Sequence, residues 1–151
     1  NLLDAFLLNT LTTSNGSKIS RGRVGHGIGL AKIPELAQMY KKEGISIELC
    51  PISNQLLGYI SDIREHPGQS YLSLGLPVTL SPDDPAVFGH QGVTFDFWEA
   101  TVAWNLDLKT LKLLAYYSLE YSSLTQPEKQ ERIDNWLGDW YVFIKWLNTK
   151  N

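Results

Sequence analysis

Val78-Thr79-Leu80-Ser81-Pro82-Asp83-Asp84-Pro85 is the stretch whose reading decides the fold. Val78 and Leu80 alternate with Thr79 and Ser81, the two-residue period of a short buried strand. Pro82 and Pro85 bracket two adjacent carboxylates and end any regular ladder. Side by side, Asp83 and Asp84 repel each other. Such a pair is tolerated where a metal or a cationic ligand neutralises it, or on a loop where water screens it. Ser, Pro and Asp are also common turn residues, so spacing alone puts a solvated turn ahead of a metal site.

Working back from this strand, the chain alternates. His66-Pro67 opens a short helix with Tyr71, Leu72 and Leu74 apolar and Gly75 just past its end. Ile45, Ile47 and Leu49 alternate with Ser46 and Glu48, a strand running to about Cys50 that Pro51-Ile52-Ser53-Asn54 breaks. Residues 33–43 form a helix, with Pro34 in its first turn, Ile33, Leu36, Ala37 and Tyr40 on one face, and Gly44 at its end. Arg23-Val24-Gly25-His26-Gly27 holds a short strand ending near Val24, and its glycines allow a sharp turn or a close backbone approach. A lone histidine in such a turn commonly has no task. The order strand, helix, strand, helix, strand from Arg23 to Asp84 predicts an α/β fold with parallel strands. Parallel strands place all their C-terminal ends at one edge, where α/β folds build sites. Gly25-His26-Gly27, Ser53-Asn54 and Asp83-Asp84 are therefore expected to meet on one face.

The flanks read differently. Residues 2–11 place Leu3, Phe6, Leu7 and Leu11 on one helical face, and residues 12–22 form a polar, flexible loop. That loop contains Asn15-Gly16-Ser17, an N-glycosylation acceptor triplet and weak support for secretion. Beyond Pro85 the chain is helical. Residues 107–121 carry Leu108, Leu111, Leu114, Ala115 and Leu119, and Thr125-Gln126-Pro127-Glu128 is a capping box. It opens a helix with Ile133, Trp136, Leu137, Trp140, Tyr141, Ile144 and Leu147 on one broad face, expected in the core or against another element.

The 151 residues are 43% hydrophobic and 19% charged, as in a globular chain, and the net charge of −3 offers no basic footprint for nucleic acid. No run approaches the length of a membrane span, so neither nucleic acid nor membrane is an expected partner. A single cysteine, Cys50, excludes an internal disulfide and reads as a buried thiol rather than a nucleophile.

Taken together, Arg23-Val24-Gly25-His26-Gly27, Glu48-Leu49-Cys50-Pro51-Ile52-Ser53-Asn54-Gln55, His66-Pro67 and Ser81-Pro82-Asp83-Asp84-Pro85-Ala86-Val87-Phe88-Gly89 resemble the adenosine deaminase superfamily. Asn54-Gln55, Asp62-Ile63-Arg64-Glu65-His66-Pro67 and Pro85-Ala86-Val87-Phe88-Gly89 are most similar to its secreted branch, the adenosine deaminase-related growth factors. The resemblance implies that residues 1–151 are the C-terminal half of a zinc-dependent (β/α)8 TIM barrel: strands 6–8 and the closing helices. Residues 12–22 look like an insertion, and Pro82 replaces a commoner small polar residue. By similarity, Asp83 is a Zn2+ ligand, Asp84 binds the purine, and His26 orients and stabilises the attacking hydroxide. Cys50 to Asn54 shape the rim without a chemical role.

The family's His-x-His ligands and its His-Ala-Gly-Glu segment are absent from the chain. Three strands do not close a barrel, and one carboxylate does not hold zinc against water. The expected partner is thus the N-terminal half of the same enzyme, as a separate or nicked chain. The resemblance further implies an adenosine-type nucleoside as substrate, a homodimer of the complete protein and an extracellular location. The alternative is a catalytically inactive, deaminase-like growth factor or interaction protein.

Overall fold

Three parallel strands organise the computed structural model, which describes residues 2–10, 22–89 and 91–150. They are β1 (Arg23–Gly25), β2 (Ser46–Leu49) and β3 (Val78–Leu80), adjacent in that order. Val24 pairs with Ile47, and Ile47 with Val78, so the three strands end level with one another. The outer edges of β1 and β3 have no further strand among the described residues.

Helices connect the strands. α1 (Leu2–Asn9) precedes β1 and docks on α2 (Pro34–Glu43), where the rings of Phe6 and Tyr40 lie 5.6 Å apart and Tyr40 donates to the Leu2 carbonyl at 2.8 Å. Pro34 begins α2, and its buried face is Leu36, Ala37 and Tyr40; Ile33, expected on that face, caps the helix and is exposed. Gly44 stops it with φ +66°, its N–H closing on Tyr40 and Lys41 carbonyls, the left-handed cap that glycine favours.

Two expectations are corrected between β2 and β3. The alternation read in β2 does not become an alternation in burial: Ser46 is as inaccessible as Ile47 and Leu49. A parallel strand covered on both faces buries residues of both, and here only Glu48, toward its end, stays partly accessible. The Pro51-Ile52-Ser53-Asn54 segment is also more than a break. It begins helix α3 (Pro51–Leu56), with Pro51 in the first turn, where its missing N–H costs nothing. α4 (Gly68–Ser73) then buries Tyr71 and half-buries Leu72, whereas Leu74 caps the helix and stays exposed.

α5 (Thr94–Trp104), α6 (Leu108–Glu120) and α7 (Gln126–Asn148) follow β3. Trp104 is buried and donates its indole N–H to the Ile63 carbonyl at 2.8 Å, tying α5 to the segment before α4. Asp107 caps α6 by accepting from the Thr110 N–H at 2.8 Å. The capping box of α7 forms: the Glu128 carboxylate accepts from Thr125 N at 3.0 Å and from its hydroxyl at 2.6 Å. The broad apolar face of α7 is not a core face along its length. Ile133 is buried, but Leu137 and Tyr141 are exposed, and Trp136, Trp140, Phe143 and Trp146 touch ring to ring along the helix.

Of the loop expected over residues 12–22, residues 12–21 lie outside the described residues, and Asn15 with them.

Candidate functional site at the strand tips

β1 ends at Gly25, and the next residue leaves the ladder in an unusual conformation. His26 has φ +61°, and Gly27 follows at +62°. The His26 N–H donates to the Glu48 carbonyl at 2.8 Å, so the turn still grips β2. Only glycine fits at position 27, because a Cβ there would come within 2.4 Å of Ile47 Cγ2. The buried hydroxyl of Tyr71 donates to the Gly27 carbonyl at 2.9 Å and holds the turn from behind.

The tip of β3 repeats the pattern. Asp83 has φ +56°, a left-handed conformation rare outside glycine and concentrated at functional sites. Its Oδ2 lies 3.7 Å from His26 Nε2 and accepts a 2.6 Å hydrogen bond from the Ser53 hydroxyl. The middle strand supplies the rest. Cys50 begins α3, and its Sγ, a His26 nitrogen and an Asp83 oxygen lie within 4.8 Å of one another. Asn54, one residue after Ser53, sets its amide on the other ring nitrogen of His26, with Nδ2 3.2 Å and Oδ1 3.3 Å from Nδ1. Ser53 and Asn54 are both fully buried.

Burial decides the state of the thiol. Burial, and then the nearby Asp83 carboxylate, push the Cys50 thiol up to about 12. It is protonated at neutral pH, 3.6 Å from the Glu48 carbonyl, which agrees with the buried, unreactive thiol expected of it. Imidazole nitrogen and carboxylate oxygen are ordinary zinc donors, so His26 and Asp83 fit a zinc site in chemistry. The Asp83 carboxylate is partly accessible. Flanking the site, Arg23 pairs with Glu48 at 2.6 Å and donates to the Tyr121 carbonyl at 3.1 Å, linking β1, β2 and the end of α6.

His26 and Asp83, two of the residues singled out in the sequence, therefore come together. Asp84 is exposed in the turn that follows, where its carbonyl accepts from Val87 and Phe88 N–H groups. It is not one of the groups clustered with His26 and Asp83. Ser53 and Asn54 lie on this face as expected, but the reading of Cys50 to Asn54 as rim residues without a role misses that both contact the two central groups directly. The available signal was two polar residues about one helical turn past the end of a buried strand, on the side where the other two strands stop.

Comparison with known proteins agrees with this geometry. Residues 17–137 match the family model for adenosine deaminase. The chain is 46% identical over 148 residues to adenosine deaminase 2 of Dictyostelium discoideum, covering 97% of this chain and 25% of that protein. Against adenosine deaminase 2 of Homo sapiens it is 40% identical over 153 residues, covering 99% and 28%. The crystal structure of adenine deaminase from Arthrobacter aurescens superposes with a TM-score of 0.72 at 27% identity, over 79% of this chain and 36% of that one. A Burkholderia ambifaria amidohydrolase crystallised with bound Zn gives a TM-score of 0.71 at 21% identity, over 84% and 35%, which is a likeness of fold. The sheet and its helices are thus part of a (β/α)8 deaminase barrel. The chain belongs to the adenosine deaminase family, and it spans about a quarter of the length of the curated relatives it matches.

Proposed function

We propose that this chain carries part of the active site of a zinc-dependent adenosine deaminase, which converts adenosine to inosine and ammonia once the rest of the barrel is in place. The observation that supports this most is the approach of His26 Nε2 to within 3.7 Å of Asp83 Oδ2 at the tips of β1 and β3. Asp83 is the metal ligand from this chain, with histidines from the remaining barrel completing the set. Zinc, when bound, supplies Lewis acidity that brings the pKa of a water ligand near neutrality. His26 orients the attacking water and stabilises its negative charge as it approaches C6 of the purine. Asp84 hydrogen-bonds the purine ring, and a glutamate outside this chain exchanges the proton before ammonia leaves.

The open edges of β1 and β3 pair with the remaining strands of the barrel. The same reading makes the complete protein a secreted homodimer with Asn15 as a glycan acceptor, checked by recovery from the medium and a glycosidase mobility shift. Among the described residues no helix is long and apolar enough to cross a membrane.

Inosine formation by the whole protein tests the activity. Chelation is expected to abolish it, and Asp83→Ala to lower it by more than the roughly 10- to 100-fold typical of an outer-sphere partner. Full activity after Asp83→Ala would overturn the assignment.

A further inference from the structure

We propose that Asn54 is a positioning residue that acts through His26, holding the imidazole so that Nε2, and not a ring carbon, faces Asp83. The inference rests on the deaminase reading above.

Asn54 has almost no freedom of its own. Its side chain is fully buried in the first turn of α3. Its backbone N–H donates to the Cys50 carbonyl at 2.8 Å, and its carbonyl accepts from Tyr59 N at 2.9 Å and Ile60 N at 3.3 Å. Among the described residues the amide side chain bonds to His26 Nδ1 alone. A buried amide without a partner is costly, so this contact has a strong preference over its loss.

The imidazole is the freer of the two groups. Its side chain is about one-third accessible at 36%, and its aromatic neighbour Tyr59 meets it edge-on at 6.2 Å, a contact with little directional hold. A half-turn of the ring exchanges Nδ1 with Cδ2 and Nε2 with Cε1. That turn would strand the Asn54 amide against a carbon and present a carbon to Asp83. Asn54 therefore selects the ring orientation in which a nitrogen meets the carboxylate and the oxygen bound beside it.

The test is a double-mutant cycle in the whole enzyme, with adenosine as substrate and zinc content measured for every variant. Asn54→Leu is expected to lower kcat by about 10- to 100-fold at unchanged zinc stoichiometry and nearly unchanged KM. In a His26→Ala background the same substitution is expected to cost nothing further, because its effect passes through the imidazole. A kcat for Asn54→Leu within about twofold of wild type, or losses that simply multiply in the double variant, would overturn the inference. Asn54→Ser, too short to reach Nδ1, serves the same cycle should the leucine variant fail to fold. If the wild-type protein forms no inosine, the deaminase reading fails by itself. The crystal structure of Asn54→Ser still decides the positioning: a turned His26 ring supports it, and an unmoved ring sinks it.

Discussion

The strand tips and the C-terminal helical layer treat their side chains in opposite ways. At the tips, polar side chains find single partners on neighbouring elements, the buried Ser53 on Asp83 and the buried Asn54 on His26, while the His26 N–H bonds to Glu48. Across α5 and α7, large apolar groups stand in solvent, with Trp98 59%, Val102 63% and Tyr141 60% exposed. Phe97, Trp98, Leu111, Trp140 and Phe143 line one apolar groove there, the kind of exposed surface that marks an interaction face. The contrast shows what each kind of order needs. A hydrogen bond is completed by one partner, so the tips can be arranged by this chain. Apolar burial is collective, and a helix pair cannot bury two broad faces with one contact.

Substitutions can break the contrast or sharpen it. Trp104 belongs to both regions, since it packs in the core and donates to Ile63 ahead of α4. Trp104→Ala is expected to lose about 3–5 kcal/mol in urea unfolding, and an effect near zero would mean that α5 does not hold the sheet. His66, whose ring lies tilted against Trp104 at 5.3 Å, gives the next effect and makes it pH-dependent. Burial, with a smaller push from His26, lowers its pKa to about 4. Its Nδ1 accepts from Gly68 N at 2.9 Å, and its Nε2 has no hydrogen-bond partner among the described residues.

Above pH 6.5 His66 is neutral whether folded or unfolded, and contributes no pH dependence. Below 6.5 the unfolded chain takes up a proton that the folded chain refuses, so stability falls until about pH 4 and then levels. The loss should reach about 3 kcal/mol over that window, and His66→Gln should flatten it. An equally steep acid limb in the variant would exclude His66 as its source. Thr125→Ala, which removes one member of the α7 capping box, should cost about 1 kcal/mol by thermal unfolding. Smallest of all, Trp98→Ser should change stability by no more than about 0.5 kcal/mol while improving solubility. A loss as large as that of Trp104 would show that the exposed layer is a core face after all.

The sequence carried much of this, unevenly. Gly44, Pro34 and the Thr125–Glu128 box act through neighbours one turn away, so helix ends were readable without tertiary information. The meeting of His26 with Asp83 followed from topology, because level parallel strands bring their ends together. The double burial of Ser46 was not readable, since alternation along a strand does not report what covers its second face. Nor was the exposure of α7, whose 3.6-residue pattern is the same whether or not another surface lies against it.

What the amino-acid order determined by itself was therefore local and periodic: three strands, their connecting helices, and polar residues at each strand end. Only the folded chain decided that Ser53 and Asn54 grip the two central groups and that Cys50 stands protonated beside them. The physical reason is distance. Those contacts join residues about 30 positions apart in sequence, and no pattern within one element encodes which side chain another element will place 3 Å away.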